Sequence, residues 1–454
     1  LERAFIKNGT GITARLLVID KVEGANGPAA IRMNDFRQLV DLIDTLPARA
    51  NRQATAEQST LPARAPFRLV AAPRRPLPAP STTTGAASMA IGALTYEALE
   101  IPAPLGIQVG HYLPYRPSRI VIHGAAEHPT ALVESVAMGS ISAPKPEAVP
   151  QLPDGLVPKG LLSAAQAETL IYAASAHARD LPGRFEPEDK GCSLKASAEG
   201  HVYRQGYFLG DGTGAGKGRQ VASVILDRWV RGERRHIWIS KNEALLEDAR
   251  RDWAALGGLP IDIQPLSSWK LGTPIAMRDG ILFVTYPTLR SGRNDATRLD
   301  QILAWAGEDF DGVIVLDEAH AMANAAGGEG SRGKVKGSEQ GIAGVRLQNL
   351  LPRARVLYAS ATGASDVNNL AYATRLGLWG PETAFANREA FVADIRDGGI
   401  AAMELVARDL KSLGLYTARA LSFAGVEYEI LEHCLTEDQI AVYDAYAEAW
   451  AIIH

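Results

Sequence analysis

Short apolar runs that alternate with helix-like stretches are the feature of this chain that most limits its fold. Five runs carry the pattern, in the order YFLG, HIWIS, ILFVT, VIVLD and RVLYAS. Continuous apolar runs of this length are typical of strands buried on both faces, and helices between them favour parallel pairing. The pattern therefore predicts an α/β lobe over residues 161–425, in which helices cover both faces of a parallel sheet.

The sequence before this lobe has a different character. Residues 46–90 are rich in Pro, Ala and Arg, a composition that favours extended chain over a packed core and predicts a linker. Residues 91–160 mix short apolar runs with prolines, which indicates a partly β accessory segment. Residues 1–45 hold one strand pattern and one helix pattern, too little to fold alone.

Charge and composition narrow the function classes. The 454-residue chain has a net charge of −4, so any contact with nucleic acid must come from local basic patches. Cys192 and Cys434 lie outside any CxxC pattern, which disfavours a disulfide framework or a zinc site. No run of about 18 apolar residues exists, so we expect no membrane contact. The start, LERAFIKNGT, lacks a methionine and a signal peptide, and we expect the interior of a longer cytoplasmic polypeptide.

The stretch GDGTGAGKGR, residues 210–219, joins the first apolar run to a helix pattern. Its glycines allow backbone N–H groups to face one anion, and a helix N-terminus adds partial positive charge. The lysine would then reach the β- and γ-phosphates of ATP. A tight strand–helix turn with an incidental lysine is the alternative. The predicted ATP-binding residues of this loop are Asp211, Gly212, Thr213, Gly214, Ala215, Gly216, Lys217, Gly218 and Arg219.

Gly218 stands where a phosphate loop normally has a Ser or Thr hydroxyl that binds magnesium. Magnesium prefers six oxygen ligands and readily keeps several waters. We therefore expect phosphate oxygens and Asp317 to hold the ion, directly or through water, with a water in the remaining position. On this view a threonine at position 218 fits and preserves ATP binding.

Residues 313–320, VIVLDEAH, form a buried-strand pattern that ends in two carboxylates. Ligands bind at the carboxyl edge of open α/β sheets. Asp317 is predicted to hold magnesium, and Glu318 to orient and deprotonate the attacking water. A helix cap at Asp317 with a surface salt bridge at Glu318 is the alternative, disfavoured because the strand follows the glycine loop by about 100 residues.

A third strand pattern, RVLYASATG, ends in Ser360, Ala361 and Thr362. With His320, these residues fit the motif that couples nucleotide state to nucleic acid in helicase-like ATPases, although a plain helix cap is an alternative. In this order, the three motifs have the pattern of a superfamily 2 helicase or translocase with a DEAH box. The pattern implies a RecA-like P-loop NTPase lobe that binds ATP and Mg²⁺.

Further positions follow from the helicase pattern. Such enzymes carry an adenine-reading glutamine about 50 residues before the lysine, where this chain has Gln166. They also contact the nucleic-acid backbone after the second and third apolar runs. The predicted nucleic-acid contacts are Ser240, Thr285, Tyr286 and Arg290. The basic cluster of Arg231, Arg234 and Arg235 is a further candidate, with solvated surface charge as its alternative.

Five longer strings resemble the strawberry notch family of helicase-like ATPases: GYFLGDGTGAGKGRQVA, HPTALVESVAMGSISAP, LLSAAQAETLIYA, RLQNLLPRARVLYASATGAS and AYATRLGLWGP. The similarity covers roughly residues 127–446. It implies that GKGR in place of GKT is a family feature. It also implies that Lys217, Asp317, Glu318 and the SAT triplet take the family's nucleotide-site roles.

The two ends resemble other domains. Residues 1–45 are similar to the closing strands of an adenine-specific DNA methyltransferase, as in bacterial plasmid and phage proteins where that domain precedes a strawberry notch helicase. The catalytic Asn-Pro-Pro-Tyr-type motif is absent, so we expect no methylation by this chain. Residues 426–454 resemble the entry into a second RecA-like lobe, which supplies arginines to the γ-phosphate.

The combined prediction is the first motor lobe of a DNA-dependent ATPase, with weak activity expected of this lobe alone. Duplex or single-stranded DNA is the expected partner, with RNA as an alternative. An ATP-dependent switch that recruits partners without translocation is the rival function. A small-molecule kinase is disfavoured by the SAT strand.

Overall fold

The computed structural model describes residues 15–18 and 90–453, with gaps at 294–295, 324, 326–327, 331–332, 336, 363–369, 425, 427–428 and 433–434. The chain divides into two compact units, one of Leu1–Thr84 with Phe423–His454 and one of Gly85–Ser422. The predicted linker lies outside the described residues except for its last position. Among the described residues, no helix has the length and apolarity needed to cross a membrane.

A seven-stranded parallel sheet forms the centre of the larger unit. Its strands in chain order are β1 Tyr207–Leu209, β2 Arg235–Ser240, β3 Ile263–Pro265, β4 Gly280–Thr285, β5 Val313–Asp317, β6 Arg355–Ala359 and β7 Tyr416–Thr417. Their spatial order is β3-β4-β2-β5-β6-β1-β7, and every pairing is parallel. The five predicted strands are confirmed, and β3 and β7 extend the sheet at its two edges.

Helices cover both faces of this sheet, as predicted. The longer helices of this unit are α1 Ala164–His177, α2 Lys217–Val230, α3 Leu245–Ala255, α4 Arg298–Ala306, α5 Glu339–Leu350 and α6 Arg388–Ser412. The smaller unit contains α7 Glu437–Ile453. Helices α1, α2 and α3 pack in sequence, whereas α4 and α5 pack with the short helix Tyr286–Leu289. Other single turns are Val136–Gly139, Asp189–Gly191, Pro260–Asp262, Leu266–Ser268 and Ala319–Met322.

The sheet register brings the three sequence motifs to one level. Ala359 of β6 lies opposite both Leu209 of β1 and Asp317 of β5. The glycine loop, the DEAH residues and the SAT residues therefore leave the sheet side by side at its carboxyl edge. All of β6 is buried, which explains why these strands read as continuous apolar runs.

The accessory segment is partly β. Its ladders pair Ile91–Ala93 with Gln151–Pro153, Glu97–Ala98 with Ile120–Val121, and Tyr112–Pro114 with Leu132–Ser135. Leu132–Ser135 also pairs with Ala420–Leu421, which follows β7. The accessory segment therefore belongs to the same compact unit as the sheet. Smaller hairpins join Phe185–Glu188 to Ser193–Ala196, Gly292–Arg293 to Ala296–Thr297, and Gly328–Gly330 to Gly333–Val335.

The smaller unit holds the described parts of both chain ends. Arg15–Val18 pairs antiparallel with Glu429–Glu432, and α7 follows. The predicted domain boundaries, 1–45 and 426–454, assign these two strands to different domains, whereas the strands form one ladder.

Candidate nucleotide site

The glycine loop runs from the end of β1 to the first residue of α2. Gly214 and Gly216 have φ values of +90° and +75°, a region that side chains other than glycine rarely adopt. A Cβ on Gly216 would also lie 2.4 Å from Nε2 of Gln166. The loop therefore needs glycine at both positions to turn its backbone into a helix N-terminus, as a phosphate site requires.

Lys217 is half-buried and its ammonium group lies inside the loop. Nζ donates to the carbonyl oxygens of Asp211 at 3.0 Å and Gly212 at 3.4 Å. Thr213 and Gly214, at the tip of the loop, are exposed. The structure thus places one positive charge within a glycine-rich turn. A bound anion could replace the two carbonyl oxygens as the acceptor for the Lys217 ammonium.

Gln166 lies against the loop, and its adenine-reading role stays a prediction. It is the third residue of α1 and forms a reciprocal cap with Ser163, whose N–H donates to Oε1 at 3.1 Å. Nε2 of Gln166 donates to the carbonyl of Ala215 at 3.3 Å. The side chain therefore links the start of α1 to the loop.

Asp211 was predicted to bind ATP, but its surroundings correct this assignment. The residue has no exposed surface. Its carboxylate accepts from Arg419 at 2.8 Å and from Nε2 of Gln220 at 3.0 Å. A carboxylate enclosed by protein donors holds the loop in place and does not itself meet a phosphate.

Gly218 is correctly placed at the start of α2, but the space beside it is filled. A Cβ at this position would lie 2.1 Å from Oδ2 of Asp252 on α3. Asp252 also lies 3.9 Å from the guanidinium of Arg219. A threonine at position 218 would have to displace this carboxylate, which is the free end of a side chain, so the expectation that threonine fits stays a prediction.

Asp317 ends β5 with its carboxylate held from two sides. Oδ2 accepts from the Ser240 hydroxyl at 2.9 Å, and Oδ1 accepts from the Glu318 N–H at 3.0 Å. Burial raises the pKa of the Asp317 carboxyl to about 6, while the Ser240 hydrogen bond opposes and the Glu318 charge reinforces that rise. A half-buried, oriented carboxylate beside the Lys217 ammonium fits an oxygen-preferring divalent cation such as magnesium.

Glu318, His320 and Ser360 form a chain of contacts across two strand ends. Glu318 has a φ of +50°, a left-handed conformation that turns the chain sharply after Asp317. Nδ1 of His320 lies 3.3 Å from Oε2 of Glu318 and 3.3 Å from Oγ of Ser360. Ser360 in turn lies 3.3 Å from Oγ1 of Thr362. The predicted catalytic and coupling residues are thus brought together, with Ala361 exposed beside them.

Two predicted nucleic-acid contacts are corrected. Ser240 and Tyr286 are buried, and a buried side chain cannot touch a polymer. Ser240 holds the Asp317 carboxylate, and the Tyr286 hydroxyl donates to the Asp317 carbonyl at 3.0 Å. Both instead support the end of β5. Thr285 caps the helix Tyr286–Leu289, and Arg290 at its other end is exposed.

The basic cluster before β2 lies at the amino edge of the sheet, away from the glycine loop. Arg231 is bonded to Asp227 at 2.9 Å and Arg235 to the Trp305 carbonyl at 2.8 Å. Arg234 lies over the Trp229 ring at 4.8 Å. All three residues are exposed, and their contacts are with the protein's own groups, which favours the alternative of surface charge.

Sequence reasoning missed Arg419 and Asp252. Arg419 is buried and binds Asp211, Ala165 and Thr169, and Asp252 lies beside Gly218. Both are distant from the loop in sequence and belong to no phosphate-site motif. A charged residue within an apolar stretch, as in LYTARALSF, was the only available signal for Arg419.

Comparison with known proteins gives a family match over most of the lobe. Residues 127–445 match the family described as P-loop containing NTP hydrolase pore-1. Human strawberry notch homolog 2 is 40% identical over 351 residues, covering 76% of this chain and 23% of the relative. The Caenorhabditis elegans strawberry notch homolog is 37% identical over 350 residues, covering 75% of this chain and 18% of the relative.

Other matches extend the comparison. Human strawberry notch homolog 1 is 36% identical over 357 residues, covering 76% of this chain and 24% of the relative. This chain therefore spans about a quarter or less of the curated relatives named here. The solved Sulfolobus solfataricus SWI2/SNF2 ATPase core in complex with dsDNA has 18% identity and a TM-score of 0.34, covering 48% of this chain and 40% of that chain. A similarity of that degree carries no conclusion.

Proposed function

This chain belongs to the P-loop containing NTP hydrolase pore-1 family, and from that premise we propose that it is the ATP-hydrolysing lobe of a helicase-like motor of the strawberry notch type. One observation carries the proposal. Lys217, Asp317 and the Glu318–His320–Ser360 contacts all lie where β1, β5 and β6 leave the carboxyl edge of one sheet. Hydrolysis of a nucleoside triphosphate needs this set of groups in one place.

Each group has a distinct task. Backbone N–H groups of the loop and the Lys217 ammonium bind the β- and γ-phosphates. Asp317, oriented by Ser240, would hold magnesium, which when bound neutralises charge on the phosphate oxygens. Glu318 accepts a proton from the water that attacks the γ-phosphate. His320, which contacts both Glu318 and Ser360, passes the state of the nucleotide toward Thr362.

DNA is the polymer that we propose for this lobe. Thr285 and the exposed Arg290 flank the helix that follows β4, whose Tyr286 supports the end of β5. A phosphate held at Arg290 would therefore lie one helical turn from the residue that positions Asp317. RNA remains the alternative polymer. A second lobe and an upstream DNA-modification domain, similar to a methyltransferase, are part of the same proposal for the full-length protein.

The rival function is an ATP-dependent switch that recruits partners without translocation. The Glu318 carboxylate, side by side with Asp317, argues against it, because a pure switch needs no group to activate water.

Release of phosphate from ATP tests the proposal. Glu318→Gln should keep ATP binding but lower turnover by about 100-fold or more, because an amide cannot accept the proton. Glu308→Gln, at an exposed turn before β5, is the matched control and should not change turnover. Duplex DNA should raise wild-type turnover. Equal turnover in wild type and Glu318→Gln would overturn the assignment of Glu318, and turnover insensitive to every polymer would favour the switch.

A further inference from the structure

We propose that Asp252 supplies the magnesium-shell oxygen that other phosphate loops take from the hydroxyl after the lysine. The inference rests on the proposed function, since it concerns the metal that accompanies the nucleotide. It assigns a role to a residue of α3, outside the glycine loop and outside the DEAH motif. It also explains why glycine follows Lys217.

The position of the Asp252 carboxylate is the first argument. A Cβ on Gly218 would lie 2.1 Å from Oδ2 of Asp252 and 3.2 Å from its Cγ. A serine or threonine hydroxyl would stand one bond beyond that Cβ, and magnesium lies about 2.1 Å beyond a ligand oxygen. Oδ2 therefore occupies the neighbourhood of the missing hydroxyl, close enough to reach the same ion directly or through one of its waters.

Incomplete pairing of the local charges is the second argument. The Asp252 side chain is 19% exposed, and the guanidinium of Arg219 is 3.9 Å away, beyond hydrogen-bond distance. Burial raises the pKa of the Asp252 carboxyl, and Arg219 only partly offsets this. Nε of Arg219 is itself buried without a hydrogen-bond acceptor in the described part of the chain. A cation and its phosphate ligands would satisfy both groups.

The neighbouring acid on the same helix behaves differently. Asp248 lies one turn before Asp252, is 48% exposed and pairs with Arg251 at 2.7 Å. Of these two carboxylates, that of Asp252 is directed at the loop. Asp248 therefore offers a matched control of the same charge on the same helix.

A structural role is the competing explanation. The Asp252 carboxylate could stabilise the N-terminus of α2 through its charge alone, without any metal. Such a role would affect nucleotide binding equally with and without magnesium. A metal role affects only the binding that depends on magnesium.

Calorimetry of ADP binding to the 454-residue chain, in magnesium and in EDTA, distinguishes the metal role of Asp252 from the structural role. Asp252→Asn should weaken ADP binding about tenfold in magnesium and less than twofold in EDTA, whereas Asp248→Asn should change neither. Direct titration of Mn²⁺ into the ADP complex, followed by electron paramagnetic resonance, should show the same loss for Asp252→Asn. An equal loss in magnesium and EDTA, or no loss, would overturn the inference.

Restoring the hydroxyl provides the reciprocal test. Gly218→Ser with Asp252→Ala places a hydroxyl where the carboxylate was removed, and should regain magnesium-dependent ADP binding to within about threefold of wild type. If the double variant binds ADP in magnesium no more tightly than Asp252→Ala alone, a hydroxyl at position 218 does not replace the Asp252 carboxylate, and the inference is contradicted. If wild-type protein binds no ADP under either condition, the proposed function itself fails, and the inference with it.

Discussion

Arg419 and Asp211 form a buried ion pair of 2.8 Å, although they lie 208 positions apart in the chain. The Arg419 guanidinium also donates to Thr169 of α1 and to Gln220 of α2, and its carbonyl accepts from the Gly212 N–H at 2.6 Å. The segment after β7 therefore fixes the base of the glycine loop to two helices. The loop owes its shape to this residue as much as to its own glycines.

Removing Arg419 should therefore damage both stability and nucleotide binding. Arg419→Met leaves the Asp211 carboxylate buried without its charged partner, a change that typically costs about 3–5 kcal/mol. Denaturant unfolding measures this cost, and nucleotide titration should show weaker binding under native conditions. Arg278→Met, at a side chain that is 96% exposed, is the control and should change neither.

The same prediction has an internal check. Asp211→Asn combined with Arg419→Met removes both charges, so the double variant should be more stable than Arg419→Met alone. A double variant that is less stable than the single one would show that Arg419 acts through packing, and the ion-pair account would be wrong.

Arg290 is the predicted phosphate contact that the structure leaves exposed. If it binds DNA, the logarithm of the affinity should fall linearly with the logarithm of salt concentration, and Arg290→Ala should reduce that slope by about one. Filter binding or fluorescence anisotropy over a salt series measures the slope. Arg278→Ala serves as the exposed control. An unchanged slope in Arg290→Ala removes this residue from the interface, and affinity indifferent to salt argues against phosphate contacts altogether.

His236 predicts a pH dependence of stability. Its Nδ1 accepts from the Val313 N–H at 3.0 Å, so Nε2 carries the proton and donates to the Glu233 carbonyl at 2.8 Å. Burial lowers the pKa of His236 to about 3, below its value of about 6.5 in the unfolded chain. The unfolded state therefore binds the proton first. The contribution of this histidine is complete above pH 6.5 and is lost as pH falls toward 3.

His236→Gln isolates this effect from other titrating groups. The difference in free energy of unfolding between wild type and variant should shrink by about 1.4 kcal/mol per pH unit below 6.5. Denaturant unfolding of both proteins between pH 7 and pH 5 measures it. A difference that stays constant over this range would show that the folded histidine titrates normally.

The sequence predicted those parts of the structure that local patterns determine. The buried strands could be identified because β4, β5 and β6 are apolar along most of their length and β2 has an apolar centre, Ile237–Ile239. Lys217, Asp317 and Glu318 could be placed because motifs at the ends of parallel strands share one edge. The residue patterns and the order of the motifs along the sequence were sufficient for both conclusions.

Contacts between distant segments were not predictable in this way. Tyr286 follows a strand end, as a nucleic-acid contact should, yet its side chain turns inward to the Asp317 carbonyl. Nothing local distinguishes an inward from an outward direction at a strand end. Likewise, the carboxylate beside Gly218 comes from Asp252, on another helix.

Nucleotide titration of Lys217→Ala tests the central claim most directly. Lys217 supplies the side-chain ammonium of the loop, so its loss should weaken binding of a fluorescent ATP analogue more than tenfold, or about 1.4 kcal/mol or more. Lys241→Ala, at an exposed position just after β2, is the control and should bind as wild type does. Equal affinity in wild type and Lys217→Ala would contradict the assignment of residues 210–219 as a phosphate-binding loop.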